Sequence, residues 1–199
     1  PNASGPDLQL YFSPVSYTRA PAGVRPLMNP DPFPGFLMGF NPCKPTSVGN
    51  IQISSTDPLL PPKIYSNYLD TEYDKKMMIE GIRLIRRIAN APALNSIIKD
   101  ELAPGDGIKS ANDIAKYIRQ KAWSVFHPCS TCRMGNNPNI SVVDPKLRVH
   151  GVDNLRVVDA SIFPTIPTGN INAPSIMVGE YASDIILKDA KNRKGLSCT

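Results

Sequence analysis

Residues 123–135 read WSVFHPCSTCRMG, and residues 142–187 read VVDPKLRVHGVDNLRVVDASIFPTIPTGNINAPSIMVGEYASDIIL. In this order the stretch supplies a histidine in a turn, a short apolar run ending in Asp159, a loop with two asparagines and a closing helix. Such an order does not arise readily by chance. It predicts a functional site built from these elements, around which the rest of the chain is arranged.

The chain has two histidines, His127 and His150. Histidine is suited to proton transfer near neutral pH. Pro128 fixes the backbone directly after His127, and small residues follow, so we expect a rigidly presented ring. His150 precedes Gly151, which predicts an exposed hairpin corner and a structural or surface role. His127 is therefore the candidate base.

The two cysteines of residues 129–132, CSTC, allow three interpretations. A zinc deaminase carries P-C-x-x-C but also an upstream H-x-E, which is missing. A structural zinc site needs a second ligand pair, and Cys43 and Cys198 are single. A thioredoxin-like pair stands at a helix start after a strand, which residues 133–135, RMG, do not indicate. We expect no metal and interpret both cysteines as packing residues, with a redox role as the alternative.

Residues 155–161, LRVVDAS, are typical of a buried parallel strand, at whose carboxyl end ligands gather. Asp159 and Ala160 are then expected beside a cofactor, and the alternative is an ordinary aspartate in the following turn. Pro174 suits a first helical turn and Asn172 can cap it. The N–H groups around Asn172 and Ala173 then favour negative charge.

The N-terminal part predicts short strands at residues 7–17, 36–40 and 47–54, separated by proline-rich turns. Although the chain has 21 prolines, apolar and aromatic residues interleave with them, which indicates ordered loops. Together these strands predict an antiparallel sheet with one covered face.

Two helices are predicted after these strands. The first is capped by Asp70 or Thr71 and ends before Pro92, and the second begins at Ser110. Residues 105–110, GDGIKS, resemble a dinucleotide-binding loop only superficially, because the third glycine and the preceding strand are missing. We interpret them as a loop. No G-x-G-x-x-G occurs in the sequence.

The net charge of +5 comes partly from basic residues that are not interleaved with aromatic side chains, which argues against nucleic-acid binding. No apolar run approaches the length of a membrane span. The chain starts at Pro1 without a methionine, which we interpret as a processed product or a fragment. The sequence favours a cytoplasmic location, and secretion stays open because a leader can have been removed upstream.

Three motifs carry a resemblance to a known family: HPCSTCRMG at 127–135, VVDAS at 157–161 and NINAP at 170–174. They resemble the C-terminal signature of the glucose-methanol-choline family of flavin-dependent alcohol oxidoreductases. The resemblance covers about the last third of the chain. It implies FAD as cofactor, a small-molecule alcohol as substrate, and oxygen or a quinone as electron acceptor.

The resemblance also assigns roles to residues. It implies that His127 is the base, that Asn170 hydrogen-bonds the substrate oxygen, and that hydride passes to flavin N5. Asn170 stands six residues beyond Pro164, where the choline-oxidising members also have an asparagine. The positions that line the flavin ring in the family correspond here to Phe126, Ala160, Asn172 and Ala173.

The resemblance implies a mixed α and β fold in three parts. Residues 1–125 are expected to form much of an antiparallel-sheet substrate-binding domain, and residues 126–149 the active-site turn at the domain seam. Residues 150–199 supply the C-terminal strand and helix of a Rossmann-like FAD-binding domain. Because the glycine motif is missing, a companion chain or segment from the same precursor is expected. Two alternatives remain: a flavin-containing hydroxynitrile lyase, and a non-catalytic binding subunit.

Overall fold

A computed structural model describes residues 5–19 and 28–196, and for Arg19 and residues 193–196 it describes the backbone only. These residues form two compact units. One contains the described residues up to Pro42 together with Leu69–Trp123, and the other contains Cys43–Tyr68 together with the described residues from Ser124 onward. The predicted division into substrate-binding, seam and FAD-binding parts concerns ligand contacts and remains a prediction.

The first unit contains two antiparallel strand pairs. Its strands are β1 (Leu8–Ser13), β2 (Tyr17–Arg19), β3 (Met28–Pro30) and β4 (Leu37–Pro42). β1 pairs with β4, and β2 pairs with β3. A single sheet was expected, and this expectation is wrong for the described residues, where the pairs are separate. Proline has no N–H to donate to a ladder, and both β3 and β4 end at one.

Three helices complete the first unit: α1 (Glu72–Ala89), α2 (Pro92–Asn95) and α3 (Ala111–Lys121). The predicted caps are confirmed, since the Thr71 side chain accepts from Asp74 N and the Ser110 side chain accepts from Asp113 N. Residues 105–110 precede α3 as a loop, as expected.

The core of the first unit lies between α1, α3 and β4. Its buried residues are Ile82, Ile114 and Ile118, with Phe40 packed against them. α1 approaches β4 closely at Gly81, where an added Cβ would overlap the Phe40 ring. A glycine is needed there for space and not for backbone conformation, since the φ of Gly81 lies outside the left-handed region.

The second unit contains one short strand pair, a 3-10 turn and a long helix. These elements are β5 (Asn50–Gln52), β6 (Lys63–Tyr65), the 3-10 turn (Ala160–Ile162) and α4 (Asn172–Leu196). Its core consists of Val143, Leu147, Ile162, Val178 and Ala182, all nearly inaccessible to solvent. Within the described ranges, no helix combines the length and apolarity needed to cross a membrane.

The strand predicted at residues 155–161 is not formed. Arg156 makes one isolated bridge with Arg148, and the backbone around it bonds to a nearby hairpin, through Val149 N to Leu155 O at 3.0 Å and Val157 N to Leu147 O at 3.2 Å. The backbone N–H and C=O groups of this segment therefore bond within a local turn and not to a neighbouring strand. The mixed α and β fold class is confirmed, whereas the Rossmann-like part remains a prediction.

Candidate active site

The turn that carries His127 has an unusual backbone. Phe126, directly before it, has a φ of 60°, which is an outlier for a bulky side chain and persists only where surrounding contacts enforce it. One such contact is the Ser124 hydroxyl, which accepts from Phe126 N at 3.0 Å and from the Tyr68 hydroxyl at 3.2 Å. The Phe126 side chain is 71% exposed, whereas His127 is half-buried. The turn thus presents an aromatic ring to the surface and holds the histidine beside it.

Downstream of His127, the chain is attached to the 3-10 turn that begins at Ala160. Cys132 N donates to Ser161 O at 3.0 Å, and Met134 N donates to Ile162 O at 2.8 Å. Two segments that are well separated in the sequence therefore run side by side. The attachment brings the backbone that follows His127 next to the turn that contains Ala160.

Asp159 caps this 3-10 turn. Its side chain accepts from Ser161 N at 2.8 Å and also from the Ser161 hydroxyl. The carboxylate is therefore partly engaged within its own turn, although the residue is exposed. Asp159 was predicted to contact a cofactor, and this assignment remains a prediction.

Asn170, Asn172 and Ala173 lie at the N-terminus of α4, and all three are exposed. Asn172 was predicted to cap the helix, but it is already the first helical residue. Ile171 occupies the preceding position, and its carbonyl accepts from Ser175 N at 2.9 Å and from the Ser175 hydroxyl at 2.7 Å. The cap prediction is wrong because the helix starts at Asn172, one residue earlier than a cap at Asn172 would require.

The elements that carry these residues share one core. Ile162, at the end of the 3-10 turn, packs in the same cluster as Val178 and Ala182 of α4. Met134, near the end of the His127 turn, packs against that cluster. The structure thus brings the three segments together at the backbone level. The roles of individual side chains remain predictions.

His150 lies in the turn that the sequence predicted, which Val152 N closes by donating to Val149 O at 3.4 Å and in which Gly151 has a φ of 73°, but its side chain is not exposed as expected. It is half-buried, and its Nε2 lies 3.0 Å from Gly135 O and 3.2 Å from the Ser141 hydroxyl. Its backbone N donates to Val142 O at 3.0 Å. His150 therefore connects the hairpin to the segment that continues from His127, which is a structural role of the kind that was expected. The sequence could not reveal it, since the partners lie 15 and 9 positions away.

The same hairpin is stabilised by Asp144. Its carboxylate accepts from Lys146 N at 2.8 Å, from Arg148 N at 3.0 Å and from the Arg148 guanidinium. Burial alone would raise the pKa of Asp144, but these hydrogen bonds and the positive charge of Arg148 lower it below its ordinary value. The hairpin supporting the candidate site is therefore most stable with Asp144 ionised.

Three features of this region fit a flavin. The N-terminus of a 25-residue helix favours the negative charge that a reduced flavin carries. Phe126 offers an exposed aromatic face, and Ala160 has a side chain small enough for close approach of a ring. Among the described residues, no group of three or more His, Cys, Asp or Glu side chains could hold a metal ion.

Comparison with known proteins identifies the family. The sequence pattern of the GMC oxidoreductases matches residues 45–179, which include His127 and Asn170. The chain therefore belongs to the GMC oxidoreductase family, and FAD is the cofactor that this membership indicates.

The relatives cover most of this chain, but the chain covers a minor part of each. It is 44% identical to an oxygen-dependent choline dehydrogenase of Vibrio vulnificus over 77% of its own length and 28% of the relative's. It is 40% identical to the mitochondrial choline dehydrogenase of Homo sapiens over 94% of its length and 30% of the relative's. Among solved structures, pyridoxine 4-oxidase from Mesorbium loti matches with a TM-score of 0.77 and 30% identity, over 90% of this chain and 34% of that one.

Proposed function

We propose that this chain supplies the catalytic residues of an FAD-dependent enzyme that oxidises an alcohol to an aldehyde or ketone. Membership of the GMC oxidoreductase family and identity to choline dehydrogenases support oxidation of an alcohol carbon. The observation that carries the proposal is the shared core that holds the His127 turn, the 3-10 turn and the N-terminal half of α4 in one unit. Choline is the first substrate to test.

In this proposal His127 removes the proton from the substrate hydroxyl. The ring follows a strained Phe126 and precedes Pro128, so its backbone has little freedom to move, as a positioned base requires. FAD, when bound, accepts the hydride that leaves the carbinol carbon. Removing the hydroxyl proton at the same centre makes that departure easier, because negative charge then develops on the substrate oxygen.

Asn170 and the N-terminus of α4 form the second half of the proposed site. The side-chain amide of Asn170 can donate a hydrogen bond to the substrate oxygen. Its exposure and its position two residues before α4 are consistent with contact to a ligand. The residues proposed to line the flavin are Phe126, Asp159, Ala160, Asn172 and Ala173.

The proposal includes a companion segment that binds the rest of FAD. The chain spans 28% of the Vibrio relative, and its sequence contains no G-x-G-x-x-G loop for the pyrophosphate. α4 supports this view, because large apolar side chains remain exposed on it while Val178 and Ala182 are buried. The exposed ones are Ile176, Met177, Tyr181 and Leu187. A companion that completes a Rossmann-like domain would cover them.

The test is anaerobic reduction of the flavin in the complete protein that contains this chain. We expect choline, or another primary alcohol from a panel, to bleach the flavin absorbance. His127→Ala is expected to slow bleaching by about 100- to 10,000-fold, the usual contribution of a positioned base, while the flavin remains bound. Stopped-flow absorbance measures both the rate and the bound flavin.

His150→Gln is the matched control. It removes the other histidine but keeps an amide N–H that can donate to Gly135 O, so we expect bleaching close to the wild-type rate. A flavin that binds but is bleached by no alcohol would contradict the oxidoreductase proposal and favour the lyase. A complete protein that binds no flavin would contradict both and favour a non-catalytic subunit.

A further inference from the structure

Two free cysteines, Cys129 and Cys132, lie in the turn that follows His127. Both side chains are half-buried, in contrast to Cys43 in the same unit, which is 4% exposed. The proposed reaction gives neither cysteine a role. Their position, two and five residues after the proposed base, means that a chemical change in them would act on the His127 turn directly.

The backbone between the two cysteines bends. Ser130 has a φ of 75°, in the left-handed region, and residues 131 and 132 lie in a turn. Three fully extended peptide units would separate the two Cα atoms by about 10 Å, whereas a disulfide needs roughly 4.4–6.8 Å. The bend brings the Cα atoms of Cys129 and Cys132 closer together than an extended chain would, as a disulfide requires.

The surroundings of the two residues also differ. Cys132 is held in place, because its N–H donates to Ser161 O at 3.0 Å. The Cys129 Sγ lies 3.3 Å from the Ser130 hydroxyl, so it has a polar neighbour. A cysteine whose backbone is held in place, with a second thiol three residues earlier, is a suitable arrangement for reversible pairing.

We propose that Cys129 and Cys132 form a reversible disulfide that slows catalysis at His127. The oxidant is a peroxide. One thiol attacks the peroxide, becomes a sulfenic acid and releases one water; the other thiol then displaces a second water and forms the S–S bond. With hydrogen peroxide, two thiols and one peroxide thus give one disulfide and two waters. A dithiol reductant reverses the change and is itself oxidised to a disulfide.

The expected effect on rate rests on the function proposed above. A bridge across residues 129–132 changes the backbone of the turn that positions His127. A displacement of about 1 Å can lower the rate of a positioned reaction about 100-fold. We therefore expect flavin reduction by the alcohol substrate to slow by about tenfold or more in the oxidised protein.

The experiment uses the complete flavoprotein that contains this chain. It is treated with hydrogen peroxide, freed of the reagent, and divided for two measurements. After alkylation of free thiols and proteolysis, mass spectrometry reports whether the peptide that contains Cys129 and Cys132 has lost two hydrogens. Stopped-flow absorbance under anaerobic conditions reports flavin reduction before treatment, after it, and after dithiothreitol.

Cys129→Ser and Cys132→Ser test the pair, and Cys43→Ser serves as the matched control. We expect wild type and Cys43→Ser to form the bridge, to slow by about tenfold or more, and to recover with dithiothreitol. Each serine variant of the pair is expected to start at the wild-type rate and to keep it after peroxide.

Alkylation of both cysteines after peroxide would overturn the proposal, as would a disulfide that leaves the rate unchanged. Equal slowing of wild type and both serine variants would also overturn it, since the effect would then come from another residue. If no alcohol reduces the flavin in untreated protein, the proposed function fails. The mass of the wild-type peptide still decides whether the disulfide forms, and it does so even if a serine variant fails to fold.

Discussion

At the scale of single residues, His150 connects segments that are distant in the sequence. Its Nε2 reaches Gly135 O and the Ser141 hydroxyl, and the Ser141 hydroxyl is itself within 3.0 Å of Gly135 O. Ser141 is buried, so a lost partner would not be replaced freely by water. The ring therefore holds the end of the HPCSTCRMG segment against the hairpin.

His150→Leu is accordingly expected to destabilise the protein by about 0.5–1.5 kcal/mol, the usual net contribution of a hydrogen bond, because the Ser141 hydroxyl still bonds to Gly135 O and Asn137 O. His150→Gln should lose less, because its amide can donate to Gly135 O. Chemical denaturation of both variants, in the complete protein, measures the difference. Equal stability of the Leu and Gln variants would show that the hydrogen bonds of the ring do not contribute.

The candidate residues were predictable from the sequence, whereas their surroundings were not. His127 stands out because Pro128 follows it and because only one other histidine is present. The left-handed backbone of Phe126 could not be predicted, since it depends on a hydroxyl at Ser124 that also accepts from Tyr68, 56 positions away. Local patterns indicate which side chain carries chemistry, and distant contacts decide its geometry.

At the scale of secondary-structure elements, α1 depends on one close approach. Gly81 faces the ring of Phe40 on β4, and an added methyl group would overlap it. Gly81→Ala is expected to destabilise the protein by about 1–3 kcal/mol, because overpacking outweighs the better helix propensity of alanine. Chemical denaturation measures this change.

Gly179→Ala on α4 is the matched control for that substitution. An added Cβ at Gly179 meets no atom within 4 Å. It should therefore leave stability unchanged or raise it by about 0.5–1 kcal/mol through helix propensity. If both alanine variants gained stability, the overlap at Phe40 would have been relieved by movement of the ring.

The starts of α1 and α3 were predictable from the sequence, whereas the start of α4 and the strand pairings were not. Thr71 and Ser110 each bond to an amide three residues later, so their signal lies within one turn of the chain. Residues 155–161 have the composition of a strand, but a strand also needs a neighbour. Their backbone groups bond to the 147–149 segment, a pairing that composition does not reveal.

At the scale of the whole molecule, large apolar side chains remain exposed in the second unit, including Ile53 at 90% and Leu59 at 89%. We expect residues 1–199 alone to retain no FAD after gel filtration, and the complete protein to retain it, because the pyrophosphate-binding loop is proposed to lie in the companion segment. Absorbance of the protein fraction in the flavin bands measures this. Retention of FAD by residues 1–199 alone would contradict the companion requirement.

The second unit is discontinuous along the chain, since Cys43–Tyr68 belongs to it together with residues from Ser124 onward. During synthesis on the ribosome, the earlier segment emerges first and must wait for the later one. The intervening residues can form local helices in the meantime, because α1 and α3 carry their own caps. Domains with such distant pairings fold slowly. The histidine turn is thus expected to reach its final structure late in folding.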